Sequence, residues 1–143
     1  MTDDVGFYVD LARQADGPVV ELAVGTGRVA IPITERTGQK VIGIDSSPAM
    51  LAVARERAAT AGLELDLREG DMRDFSLDEP AALVICPFRS LLHLSTWADR
   101  RRVFERSPPP LGRAVASRGT RSSTTSCLPR DTTGSSRTTR FRT

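Results

Sequence analysis

One histidine and two cysteines in 143 residues leave little material for a metal centre and none for a disulfide framework. No His/Cys/Asp grouping has metal-ligand spacing, and Cys86 has no partner close in sequence. No metal is therefore expected. Long apolar runs are also missing: none approaches the roughly 20 residues that cross a bilayer. The start, MTDDVGFYV, is acidic and lacks the basic and apolar regions of a secretory signal. A soluble, cytoplasmic protein without a membrane partner is the expectation.

Charge is not evenly spread. Residues 1–106 carry 13 basic and 17 acidic side chains, whereas residues 107–143 carry seven arginines and one acid, Asp131. The first segment also has the hydrophobic patterning of a fold. Val5–Arg13 is spaced as a short helix, and Val19–Val24 is an apolar run suited to a strand buried on both faces. Arg28–Arg36 follows as a helix and Lys40–Ile44 as a strand. Ser47 and Pro48 then provide a cap and a first helical residue. Leu63–Arg68 alternates as a strand, Ala81–Cys86 is a buried strand, and Thr96–Arg106 is a helix. Strands alternating with helices predict an α/β fold with a doubly wound, mostly parallel sheet.

The chemistry concentrates between the first and third strands. Gly25 and Gly27 stand where strand turns into helix, so a ligand can approach the backbone there. Asp45 lies 20 residues after Gly25, at the tip of the second strand, where a carboxylate can bond a ribose diol. Glu21 is an acid inside a strand, which is costly unless it is hydrogen-bonded. Gly70-Asp71-Met72 follows the third strand. These features point to a nucleoside-containing cofactor.

Glu21-Leu22-Ala23-Val24-Gly25-Thr26-Gly27, Asp45 and Gly70-Asp71-Met72, in this order and spacing, resemble the class I S-adenosylmethionine-dependent methyltransferases, a Rossmann-like family. The resemblance covers about residues 5–106. It implies that backbone at Ala23–Gly27 cradles the methionine part of S-adenosyl-L-methionine. It implies further that Asp45 accepts bonds from the ribose hydroxyls, with Ser46 and Met50 packing beside ribose and adenine. Asp71 would bond the adenine amino group and Met72 would lie against the ring. Glu21 and Thr26 belong to the same motif, and Cys86, Pro87 and Phe88 would edge the methyl-transfer site. The activity implied is methyl transfer to an unidentified small-molecule acceptor, with no catalytic residue assigned.

An NAD-dependent oxidoreductase domain is the rival, because Gly25-x-Gly27-x-x-Ala30 fits the dinucleotide pattern and Asp45 suits a ribose. Glu21 and Asp71-Met72 favour the methyltransferase. A phosphate-binding NTPase loop is excluded, since no Gly-Lys-Ser/Thr follows the glycines. His93 lies in an apolar stretch and reads as structural. Arg100-Arg101-Arg102 reads as a solvated helix face.

After Arg106 the patterning fails. Ser, Thr, Arg, Pro and Gly make up 29 of the last 37 residues, a composition unable to bury enough surface to offset conformational entropy. Residues 107–143 are thus expected to be a low-complexity basic tail, disordered or translated out of frame, and the sheet is expected to be truncated after its fourth strand. Permitted codons for Ser107–Ser123, regrouped one base earlier, read V-A-A-A-S-R-P-G-G-R-F-A-W-N-A-F-V, a helix end, a turn and an apolar strand. With one aromatic, Phe141, and no organised motif, the tail is not expected to bind nucleic acid. A cofactor-binding remnant without turnover is the alternative to an active enzyme.

Overall fold

The computed structural model describes residues 3–87, 94–106 and 114–116. Its elements are α1 (Asp3–Gln14), β1 (Val19–Leu22), α2 (Ala30–Thr37), β2 (Val41–Asp45), α3 (Pro48–Thr60), β3 (Asp66–Glu69), β4 (Leu83–Ile85), α4 (Trp97–Arg106) and β5 (Ala114–Ala116). The strands form one sheet in the order β3-β2-β1-β4-β5, and every neighbouring pair is parallel. Order reverses beside β1, so a crevice opens at the carboxyl ends of β1, β2 and β4, the place where such sheets take ligands.

Alternation along the strands sorts the core into two layers. Val19, Val41, Leu83 and Ile85 pack with Tyr8, Val9, Ile33 and Leu51 on one face. Val20, Leu22, Ile42, Ile44, Val84 and Cys86 pack with Phe75, Leu94 and Val103 on the other. Apolar cover on both faces is what a parallel sheet needs. The α3 start is built as its sequence predicts: Ser47 Oγ accepts from the Met50 N–H (3.4 Å), with Pro48 in the first helical position. At α4 the Thr96 hydroxyl accepts from the Asp99 N–H (3.1 Å), so Thr96 caps that helix. No described helix is long and apolar enough to cross a membrane.

Two boundaries differ from the sequence expectation for a physical reason. β1 ends at Leu22 and not at Val24, because Ala23 turns into the left-handed region at φ 55°. α2 begins at Ala30 and not at Arg28, because the preceding residues are occupied by the glycine turn. Left-handed backbone crowds a Cβ, at a cost of about 1–2 kcal/mol. Ala23→Gly is therefore expected to stabilise the chain by about 1 kcal/mol, measurable as a rise in the urea midpoint at unchanged slope.

The sheet continues by one short strand past the fourth. Ala114–Ala116 pairs with Leu83–Ile85 inside the segment whose composition reads as a tail. Strand pairing is made by backbone groups, and β4 presents a free row of them on the side away from β1. Three residues, with a β-branched valine at their centre, suffice for this register. The other residues of 107–143, and the expectations made for them, lie outside the described residues.

Candidate cofactor site

Asp45 is the hinge of the site. Its carboxylate accepts from the Gly25 N–H through Oδ2 (2.8 Å) and from the Ser47 N–H through Oδ1 (2.8 Å). Its backbone carbonyl accepts from the Gly70 N–H (3.0 Å), and the Val24 N–H donates to the neighbouring Ile44 carbonyl (3.1 Å). One residue at a strand tip thus fixes the glycine turn, the start of α3 and the end of β3. Each carboxylate oxygen keeps an acceptor direction beyond these bonds.

Beside it lies a cavity of about 260 Å³, lined by Ala23, Ile44, Asp45, Ser46, Gly70, Asp71, Met72, Arg73, Leu94, Ser95 and Asp99. Of the residues singled out in the sequence, Ala23, Asp45, Ser46, Asp71 and Met72 meet here. Gly25 joins through its bond to Asp45 and adopts φ 56°, with open space where a Cβ would stand. Gly27 is buried at φ 77°, close under Ile31. Thr26 faces α3, where Arg57 donates to its carbonyl and its hydroxyl oxygen (3.1 Å each). Met50 is half-exposed on the first turn of α3, outside the cavity lining. Cys86 is 1% exposed within the core and does not line the cavity. Phe88 and His93 lie outside the described residues.

Glu21, within β1, is fully enclosed, 2% exposed. Its Oε2 has no hydrogen-bond partner. Burial pushes the carboxyl up to about 8, against the opposing pull of Arg28 and of the Ala30 N–H at the start of α2; Asp45 raises it further. Arg28 is itself gripped by Asp4 of α1 through two bonds of 2.9 Å. A carboxyl raised in the folded state favours folding below the unfolded value of 4.5. That contribution is lost as pH climbs through about 8. Stability is expected to fall by about 1.4 kcal/mol per pH unit across that window. In Glu21→Gln this component of the slope should vanish, and urea titrations at pH 5, 6.5 and 8 would read it.

Sequence inspection missed Asp4, Arg28, Arg57, Arg73 and Asp99. Arg28 directly follows Gly27, which is a local hint. Its partner Asp4 is 24 residues away, and pairing at that distance leaves no mark in a single sequence. Among the described residues no group of His, Cys, Asp and Glu could hold a metal ion.

The methyltransferase domain family matches residues 19–107, more than half of the chain. A demethylmenaquinone methyltransferase of Thermus thermophilus is 45% identical over 65 residues, covering 44% of this chain and 30% of that protein. A dTDP-3-amino-3,6-dideoxy-alpha-D-glucopyranose N,N-dimethyltransferase of Streptomyces fradiae is 38% identical over 88 residues, covering 62% of this chain and 32% of its own length. Among solved structures, a glycopeptide N-methyltransferase in complex with S-adenosyl-L-homocysteine superimposes with TM-score 0.71 at 30% identity. That match covers 81% of this chain and 47% of the other. The chain therefore spans less than half the length of these relatives. With a family model over more than half of its length, and a solved methyltransferase superimposed on 81% of it, the chain belongs to the methyltransferase domain family, the S-adenosylmethionine-dependent class I methyltransferases.

Proposed function

We infer that this chain binds S-adenosyl-L-methionine at the carboxyl ends of β1–β3 and serves methyl transfer to a small-molecule acceptor, as a cytoplasmic protein. The observation that carries the reading is Asp45, a carboxylate bonded to the Gly25 N–H at the rim of a cavity closed by Asp71 and Met72. The residues suit this cofactor. Open backbone at Gly25 leaves room for its chain. Asp45 is an acceptor for two ribose hydroxyls, Ser46 stands beside it, and Met72 offers a polarisable surface to a purine. When bound, the cofactor supplies an electrophilic methyl group on a sulfonium.

The chain's own contribution is then positional. Asp45 would hold the ribose and the glycine turn the amino-acid part, so these residues would orient the cofactor for transfer, and proximity and orientation are a large source of acceleration in such a step. The relatives named for a quinone precursor and an amino sugar support a small-molecule acceptor. The relatives are named as methyltransferases or, in one case, as a carboxy-S-adenosyl-L-methionine synthase, and none of these names favours NAD.

A second reading is a cofactor-binding remnant without turnover. Calorimetric titration with S-adenosylmethionine and with NAD tests the cofactor: heat with the first alone supports it, and heat with NAD alone would overturn it. Transfer of a labelled methyl group to an amino sugar or a quinol would defeat the remnant reading. The division into a core of 1–106 and a low-complexity, out-of-phase segment from residue 107 belongs to this proposal. A gene sequence with no Pro-Gly-Gly codons in any phase near residue 113 would remove the out-of-phase version.

A further inference from the structure

Arg73 takes up the hydrogen-bonding capacity of the Asp71 carboxylate by itself. Its backbone N–H donates to Oδ1 (2.8 Å), and Nε donates to Oδ1 (2.9 Å) and Oδ2 (3.1 Å). A terminal guanidinium nitrogen donates to Oδ2 (2.6 Å). A carboxylate has about four acceptor directions, and here all are aimed at one residue. The Arg73 guanidinium holds the Asp71 carboxyl down at about 2. An amino group arriving from a purine can bond Asp71 only if Arg73 yields part of it.

A second acceptor stands on the other side of the guanidinium. Asp99, in the first turn of α4, forms a loose ion pair with the other terminal nitrogen of Arg73, Oδ1 at 3.6 Å, just too far for a hydrogen bond. Its Oδ2 is anchored by the Thr96 hydroxyl (2.7 Å). Asp99 is the more enclosed of the two carboxylates, with 18% of its side chain exposed against 42% for Asp71. All three residues line the cavity, together with Leu94 and Ser95, which lead into α4.

The geometry points to a handover: a 6-aminopurine nucleoside seated on Asp71 displaces the Arg73 guanidinium to Asp99 and draws the first turn of α4 toward the cavity. This rests on the reading of Asp71 as the adenine contact. Arg73 is then a positioning residue that couples occupancy of the purine end to the helix on the open side. The chain holds its own reporter, because its single tryptophan, Trp97, lies two residues before Asp99 and is 73% exposed.

The test uses the full chain, with S-adenosylhomocysteine affinity measured by calorimetry and Trp97 emission followed in the same titration. Adenosine is expected to shift the emission, and purine riboside, which lacks the amino group, is not. Asp99→Asn removes the receiving charge, so Kd should rise about tenfold and the emission shift should disappear. Arg73→Gln removes the competitor, so Kd should fall by up to about tenfold, again without an emission shift. A merely structural role for Arg73 would weaken binding in both variants. Arg73→Lys, which leaves α4 untouched, should reduce the shift, and thermal melts confirm that each variant is folded. Equal weakening in both variants, an emission shift intact in Asp99→Asn, or an equal response to purine riboside would overturn the handover while leaving the cofactor reading in place. Absence of any binding heat in the unmodified chain would overturn both.

Discussion

Replacing Asp45 with alanine is expected to reduce affinity for S-adenosylmethionine by roughly a hundred- to a thousandfold. Hydrogen bonds to a charged group are worth about 1.5–3 kcal/mol each. Losing two ribose contacts removes about 3–4 kcal/mol, and each 1.4 kcal/mol is tenfold in Kd. The loss has a second component within the protein. Gly25 and Ser47 both donate their N–H to this carboxylate, so alanine leaves two part-buried donors to find water. Asp45→Asn separates the components, because the amide oxygen can serve one of these donors and the amide nitrogen cannot serve the other. Its affinity should fall between wild type and alanine. Isothermal titration of the three proteins reads this directly, and equal affinity across them would remove Asp45 from the site.

Gly43→Ala is expected to destabilise the fold by about 1–3 kcal/mol, the usual range for overpacking a closed core. A Cβ at this position would stand 2.8 Å from Leu67 Cδ2 and 2.9 Å from Val24 Cγ2, with the Val24 Cβ at 3.0 Å. The Val24 contacts decide the size of the effect. Val24 is held in the glycine turn between Ala23 and Gly25, and its N–H is bonded to Ile44. It cannot retreat without moving the turn. The variant should therefore melt roughly 5–10 °C lower and also bind the cofactor more weakly. A variant that melts as wild type does would mean that Val24 moves freely and that the turn is less rigid than its bonding implies.

Gly43 also marks the boundary of what a single sequence discloses. In Lys40–Ile44 it is one small residue in an apolar strand, with no local feature that names its neighbours. Only the pairing of β2 with β1 and β3 brings Val24 and Leu67 over it. The same holds at the site. Asp45 was legible because its distance from Gly25 reflects one strand–helix–strand unit, a local property of the chain. That the two are bonded to each other in the folded chain, and that Asp45 also holds Gly70, follows from the parallel register, whereas its bond to Ser47 two residues on is a local turn. Cys86 shows the converse. Its place after the fourth strand suggested the site's edge, and the alternation of that strand turns it into the core.

By itself, the order of residues determined the alternation of strands and helices, the glycine turn, the acid at the second strand tip and the cap of α3. These depend on neighbours within a few tens of residues, where spacing maps onto geometry. Tertiary structure alone decided where three arginines reach: Arg28 to Asp4, Arg57 to Thr26, and Arg73 to Asp99. It also decided that Ala114–Ala116 joins the sheet beside β4. A guanidinium reaches any acceptor that the fold brings within a few ångströms, and an exposed strand edge pairs with backbone of almost any composition. Neither choice is written in local spacing. Both are made only when the sheet has closed around its core.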